Sequence, residues 1–84
     1  MKKKEFNEKL NLNIIDIDIK ELDLKYKNIG TKRLEILKNV NFKVLKELDL
    51  SYNKISDIKV LENVNFKELK ELYLSRNKIS DQRL

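Results

Sequence analysis

Residues 39–57 read NVNFKVLKELDLSYNKISD, and residues 63–81 read NVNFKELKELYLSRNKISD. The two segments are identical at sixteen of nineteen positions, at a constant offset of 24 residues. A globular core seldom repeats its sequence, because each position in it has different neighbours. A chain that stacks equivalent units does repeat, because every unit packs against the same surroundings. The duplication therefore predicts a repeat scaffold that presents a surface to a partner.

Two hydrophobic periods alternate inside each unit. Residues 48–50 alternate between apolar and polar side chains, which is typical of a short strand. Ile55, Ile58 and Leu61 recur at every third position, which suits a 3₁₀ turn or a short helix that packs one face. Each unit of 24 residues is therefore expected to contain one strand and one short helical turn.

The second and third units resemble leucine-rich repeats. The spacing Leu-x-x-Leu-x-Leu-x-x-Asn-x-Ile is complete at residues 45–55 and again at residues 69–79. The continuation Ile-x-x-Ile-x-x-Leu from Ile55 is similar to the short-repeat subfamily found in phosphatase-regulatory subunits and bacterial internalins. The resemblance implies an α/β solenoid, a short leucine-rich-repeat stack with a parallel concave sheet and short helical or 3₁₀ turns on the convex side.

The resemblance also implies a structural role for two asparagines. Asn53 and Asn77 are similar to the family's asparagine ladder, in which the side-chain amide bonds to backbone groups of the turn after the strand. An earlier copy begins at Ile19 and departs from this pattern, because Lys27 occupies the ladder position and Asn28 follows one place later.

The step from this first copy to the second is two residues longer than the next step. The extra residues fall in the segment GTKRLEILK at residues 30–38. We predict that Thr31 caps a short helix in this segment and that Leu34 and Leu37 face inward.

We divide the chain into an N-terminal cap at residues 1–18 and about two and a half to three leucine-rich repeats at residues 19–84, the last of them truncated. Phe6 and Leu10 are spaced as one face of a short helix, and alternating isoleucines at residues 15–19 indicate a strand. The last residues begin a convex segment that is not completed.

The residues between the strand leucines are acidic. By the family pattern, nine side chains point outward on the concave face: Glu21, Asp23, Lys25, Glu47, Asp49, Ser51, Glu71, Tyr73 and Ser75. Their net charge is −4, so the rest of the chain carries +9 to reach the total of +5. This predicts a groove for a basic peptide or protein surface. The alternative is that glutamate and lysine columns neutralise each other across the strands, at about 0.2–1 kcal/mol per pair.

Tyr52, Tyr73 and Arg76 lie at positions that differ between the copies, and tyrosine and arginine are the residue types that anchor interfaces. The alternative for Tyr26 and Tyr52 is that they shield the edge of the sheet. The candidate partner-binding residues are Glu21, Asp23, Glu47, Asp49, Tyr52, Glu71, Tyr73 and Arg76.

The sequence contains no recognisable cover for the last repeat. An uncovered repeat leaves apolar side chains and a strand edge without neighbours, and proteins normally cap both. We therefore predict self-association through this end, by way of Leu69, Leu72, Leu74 and Ile79.

The residue types exclude most enzyme classes. With no histidine and no cysteine, the chain lacks the commonest general base, thiolate nucleophiles and the usual metal ligands, and its serines have no histidine to activate them. The carboxylates at residues 16–23 alternate with isoleucines and lack a calcium loop's glycine. We expect a non-catalytic protein without cofactor or metal.

Two other functional classes remain open. A basic nucleic-acid-binding accessory would use the lysines outside the acidic strip, although acidic residues are interspersed and no exposed aromatic platform is evident. An engineered or purely structural repeat scaffold, or a piece of a longer array, would have no ligand of its own. The start MKKKEFNEKL lacks the apolar stretch of a signal peptide and no apolar run could span a membrane, so a soluble cytoplasmic protein is expected.

Overall fold

The computed structural model describes residues 3–10 and 18–79. Residues 15–17 of the predicted strand and the incomplete segment after residue 79 lie outside these ranges, and residues 18–20 are not part of a strand. In chain order the elements are helix α1 (Lys3–Leu10), strand β1 (Glu21–Asp23), helix α2 (Gly30–Leu34), a first 3₁₀ helix (Glu35–Asn39), β2 (Asn41–Phe42), β3 (Glu47–Asp49), a second 3₁₀ helix (Lys59–Asn63), β4 (Asn65–Phe66) and β5 (Glu71–Tyr73).

In the described part of the chain, β1, β3 and β5 form a three-stranded parallel sheet in that order. Leu22 pairs with Leu48, and Leu48 pairs with Leu72, so equivalent positions of successive repeats lie side by side. Parallel neighbours need a crossover, and the helical segments between the strands supply it. The predicted parallel strands with short helical connections are therefore confirmed, although each strand begins one residue earlier than the alternation indicated.

A second parallel sheet, which the sequence analysis did not predict, lies between β2 and β4. Asn41 pairs with Asn65 and Phe42 pairs with Phe66. The two phenylalanine rings stack with centroids 5.3 Å apart and an interplanar angle of 27°. The sequence NVNF is repeated at residues 39–42 and 63–66 and includes both strands. A strand of two residues is too short to show a hydrophobic period, so the repeat alone did not predict this sheet.

The crossover after β1 differs from the prediction for Thr31. Helix α2 has no side-chain cap, and Thr31 lies inside it. The Thr31 hydroxyl instead accepts backbone N–H groups of the next repeat, from Ser56 at 2.8 Å and from Asp57 at 3.3 Å. The prediction of a cap was wrong because the repeat that stacks beside the helix offers unpaired donors, which the local sequence does not show.

The core is built from the leucines of the repeat. The side chains of Leu34 and Leu37 are buried, as predicted. Other fully buried positions come from both strands and turns: Leu24, Phe42, Leu45, Leu48, Leu50 and Ile55. Burial of each such side chain stabilises the fold by about 1.5–3 kcal/mol relative to exposure.

Helix α1 packs against this core. Phe6 and Leu10 lie one helical turn apart and are 0% and 1% exposed, so the predicted apolar face is present. The guanidinium of Arg33 donates to the carbonyl of Lys9 at 2.8 Å and to the carbonyl of Asn28 at 3.2 Å. These bonds tie the last turn of α1 to the crossover of the first repeat.

Candidate functional site

Asn53 lies in the interior and bonds two successive turns. Its side chain is 0% exposed. The amide nitrogen donates to the carbonyls of Leu24, Leu50 and Ser51 at 2.8–3.1 Å, and the amide oxygen accepts the backbone N–H groups of Lys27 and Ile29. The first repeat, which has lysine at its own ladder position, therefore has its turn closed by the asparagine of the second repeat.

Asn77 makes the same set of contacts one repeat later. Its amide oxygen accepts the N–H groups of Asn53 and Ile55, both at 3.0 Å. Its nitrogen donates to carbonyls of Leu50, Leu74 and Ser75. Asn77 is only partly buried, whereas Asn53 is fully enclosed. Each asparagine thus joins its own turn to the preceding one, and the two side chains hold the strand ends in register.

The outward side chains of β1, β3 and β5 form an acidic face, which we define as Glu21, Asp23, Glu47, Asp49, Glu71 and Tyr73. The register places Glu21 beside Glu47 and Glu47 beside Glu71, so three carboxylates stand in one row across the sheet. A shallow depression of about 410 Å³ is lined by the residues of this face other than Glu71, together with Leu22 and Lys25. Four acidic groups and one lysine line it, so the depression favours cationic ligands.

The ion pairs of this face differ from the neutralisation considered for glutamate and lysine columns. Lys25 lies 3.7 Å from a carboxylate oxygen of Asp23 and 3.9 Å from one of Asp49. Lys20, Lys46 and Lys70 flank the glutamate row but form no salt bridge with the carboxylates that the structure describes. The three glutamates therefore have no salt-bridge partner among residues 3–10 and 18–79.

Tyr73 adds a hydroxyl to this row of carboxylates. It donates to a carboxylate oxygen of Glu71 and lies 3.3 Å from one of Glu47. The hydrogen bond with Glu71 raises the pKa of Tyr73 to about 12, since ionisation would place a third negative charge beside the two carboxylates.

The same contacts move the pKa values of the two glutamates apart. Hydrogen bonds from Tyr73 and with Glu47 lower the pKa of Glu71. The pKa of Glu47 is raised, mainly because its hydrogen bond with Glu71 requires a proton on Glu47, then because of desolvation and the like charge of Glu71. Of these two carboxyl groups, Glu47 is thus the one that takes up a proton first.

One residue expected on this face is not there. Ser51 is 4% exposed, because β3 ends at Asp49 and the chain then turns into the protein. The N–H of Ser51 donates to the carboxylate of Asp49 at 2.9 Å, and its carbonyl accepts from Asn53. The outward alternation therefore stops two residues earlier than predicted.

A second exposed feature lies at the carboxyl ends of the strands. The rings of Tyr26 and Tyr52 stack with centroids 4.3 Å apart and an interplanar angle of 20°. They are 68% and 40% exposed, so the prediction that no exposed aromatic platform exists was wrong. Arg76 occupies the equivalent position of the third repeat, and all three residues have left-handed backbone, with φ between 56° and 59°.

The residues named for self-association lie in or next to β5, an outer strand of the three-stranded sheet, and we call this region the open edge. Leu72 is 38% exposed, whereas its register partner Leu48 is fully buried. Leu69, Leu74 and Ile79 are partly buried, whereas their counterparts one repeat earlier are fully buried. The open edge therefore exposes apolar side chains that are covered in the preceding repeat.

Comparison with known proteins supports the class indicated by this geometry. A family model described as leucine-rich repeats (2 copies) matches residues 43–83. No curated protein and no solved structure matches the chain. The match supports a leucine-rich-repeat protein, and domains of this class are generally non-catalytic scaffolds for protein interaction.

Two searches of the described residues concern other functions. None of the helices in residues 3–10 and 18–79 is long and apolar enough to cross a membrane. Within the same ranges, no group of three or more carboxylate, histidine or cysteine side chains is arranged to hold a metal ion.

Proposed function

We propose that this protein is a non-catalytic scaffold whose acidic face binds a basic peptide or a basic surface of another protein. The observation that carries the proposal is the row of Glu21, Glu47 and Glu71, in register across the sheet and without a salt bridge to any described cation. Three like charges held side by side destabilise one another, and a cationic ligand removes that cost on binding.

The proposal extends to the architecture around the face. A solenoid of the short-repeat subfamily, with a cap at residues 1–18 and repeats at residues 19–84, would keep the acidic face on the inner side of the curve. The short helical segments that connect the parallel strands support this arrangement. Tyr52 and Arg76 would lie at the rim, where aromatic and guanidinium groups commonly anchor a partner.

Binding of a fluorescein-labelled oligoarginine, followed by fluorescence polarisation, tests the acidic face. The test variant is Glu21→Lys with Glu47→Lys, since neither carboxylate accepts a backbone hydrogen bond in the described structure. Asp49 is left unchanged because it also holds the Ser51 turn. The expected result is loss of binding with an unchanged circular dichroism spectrum.

The matched control is Glu62→Lys with Glu68→Lys, which makes the same change in net charge at two exposed positions outside the face. This control should retain most of the wild-type affinity. If both variants lose binding equally, the protein attracts oligoarginine through its total charge alone, and the acidic face is not the site.

The open edge favours a second interaction, and we propose that its occupant is a second copy of this chain. Leu72 is exposed and β5 has a strand partner on one side only among the described strands. Two copies present the same edge, so a two-fold axis would set their β5 strands side by side and antiparallel. Leu69, Leu72, Leu74 and Ile79 would then form one apolar contact.

Sedimentation equilibrium at micromolar concentration tests this association. We expect a dimer that the double substitution Leu72→Lys with Leu74→Lys dissociates. A control double substitution at exposed lysines of the two 3₁₀ helices, Lys38→Glu with Lys59→Glu, should leave the dimer intact. A monomeric wild type, or a dimer that survives the leucine substitutions, would overturn the proposal.

A further inference from the structure

The carboxyl ends of β1, β3 and β5 carry an aromatic and basic edge that the acidic face does not include. We define it as the platform of Tyr26 and Tyr52 with four cations on the same turns: Lys27, Lys54, Arg76 and Lys78. We propose that this aromatic and basic edge binds single-stranded nucleic acid, with bases stacked on the tyrosines and phosphates paired with the cations.

The platform has the geometry that stacking requires. The Tyr26 ring is 68% exposed, so one of its faces is open to a flat ligand in addition to the face that covers Tyr52. The side-chain hydrogen bond with Tyr52 raises the pKa of Tyr26, so the Tyr26 ring is neutral at physiological pH. A base laid on Tyr26 extends this stack by one member.

The cations of this edge are available to a ligand. Lys27, Lys54, Arg76 and Lys78 are exposed and form no salt bridge with a carboxylate of the described residues. Lys25, in contrast, is held by Asp23 and Asp49 and belongs to the acidic face. Because the backbone groups of these turns are bonded by Asn53 and Asn77, the turns hold the cations at fixed spacing along the strand ends.

The combination of stacking surface and unpaired cations selects among anionic partners. An acidic peptide would satisfy the lysines but leave the ring faces unused. A sulfated polysaccharide would do the same. A duplex keeps its bases stacked internally, whereas single strands expose both bases and phosphates and use both halves of this edge.

Fluorescence polarisation with labelled oligothymidylate and oligouridylate tests the proposal. Heparin and polyglutamate, as competitors, supply negative charge without bases. Tyr26→Leu with Tyr52→Leu should weaken binding of the two oligonucleotides about 5-fold to about 100-fold per stacked base. The same variant should bind heparin as the wild type does. If each of the four cations contacts one phosphate, the logarithm of the binding constant should fall with the logarithm of the salt concentration, with a slope of about −3 for single strands.

Two further variants keep the test decisive. Tyr26→Phe with Tyr52→Phe retains both rings and should retain binding of the oligonucleotides. Tyr73→Leu makes the same change at an equally exposed tyrosine outside the platform and should also retain it. The proposal is overturned if oligonucleotides bind no better than polyglutamate, or if the leucine variant of the platform binds them as tightly as the wild type.

Discussion

At the residue scale, Asn53 makes five side-chain hydrogen bonds at 0% exposure. It bonds groups of Leu24, Lys27 and Ile29 in the first repeat, while Asn77 performs the same role with more solvent around it. A buried polar group that loses its partner costs more than an exposed one, because water cannot replace the lost bond.

Asn53→Ala should lower the free energy of unfolding by about 1–3 kcal/mol, since backbone groups of two turns lose their partner. Asn77→Ala should cost less, because its site is partly exposed. Asn28→Ala should also cost less than Asn53→Ala, because its side chain is exposed and its main loss is the strain of about 1 kcal/mol that alanine meets in the left-handed backbone at φ 53°. Urea denaturation of the three variants checks this order, and equal losses would contradict it.

The hydroxyl of Tyr73 determines the charge state of the row of carboxylates. Tyr73→Phe should raise the pKa of Glu71, because the hydrogen bond that lowers it is removed. A carboxyl with a lowered pKa stabilises the fold above its unfolded pKa and loses that contribution as the pH falls through its folded pKa. The variant should therefore lose less stability than the wild type during acidification.

Carbon-13 chemical shifts of the glutamate carboxyl groups, followed through an acid titration, measure this change directly. Tyr52→Phe is the matched control, since Tyr52 stacks on Tyr26 and makes no observed contact with Glu71. An unchanged Glu71 titration in Tyr73→Phe would show that the hydrogen bond does not determine the pKa.

At the scale of elements, the second sheet is a second place where the two repeats pair in register. β2 and β4 follow the helical segments in the chain, and they contribute one stacked pair, Phe42 on Phe66. Phe42 is 1% exposed and Phe66 is only partly buried, so the same residue type occupies two environments.

Phe42→Ala should destabilise the protein by about 3–5 kcal/mol, the range for removing a buried aromatic ring. Phe66→Ala should cost clearly less, since part of its ring is already in water. Thermal unfolding followed by circular dichroism measures both changes. Equal losses would mean that Phe66 is covered in solution, for example by association at the open edge.

At the scale of the whole molecule, burial decreases from the second repeat to the third. Leu48 lies between two strands and is fully buried, whereas Leu72 has the same place in the repeat and is 38% exposed. In a stack of equivalent units, stability is roughly the sum of each unit and its interfaces, so a unit with one interface is held less firmly.

Leu48→Ala should therefore cost about 2–5 kcal/mol, as for a buried leucine, and Leu72→Ala substantially less. Chemical denaturation at a concentration where the protein is monomeric isolates the two effects from association. Comparable losses at both positions would show that the open edge is covered within a single chain.

The repeated sequence was sufficient to predict which residues pair across the main sheet and which leucines are buried. This follows because equivalent positions in stacked units share the same neighbours, so an offset of 24 residues is also a strand register. The acidic row at Glu21, Glu47 and Glu71 follows from the same rule, since alternation along a strand sends every second side chain outward.

Only the tertiary structure decided which partner each polar group has. The hydroxyl of Thr31 bonds to residues 56–57, Asn53 closes the turn of the preceding repeat, and Tyr26 stacks on Tyr52. Each of these contacts joins residues 24–26 positions apart. The hydrophobic period of a sequence indicates which side chains face inward. The distance and direction from a side chain to a group in the next repeat depend on how the two repeats stack, which is a property of the packed molecule.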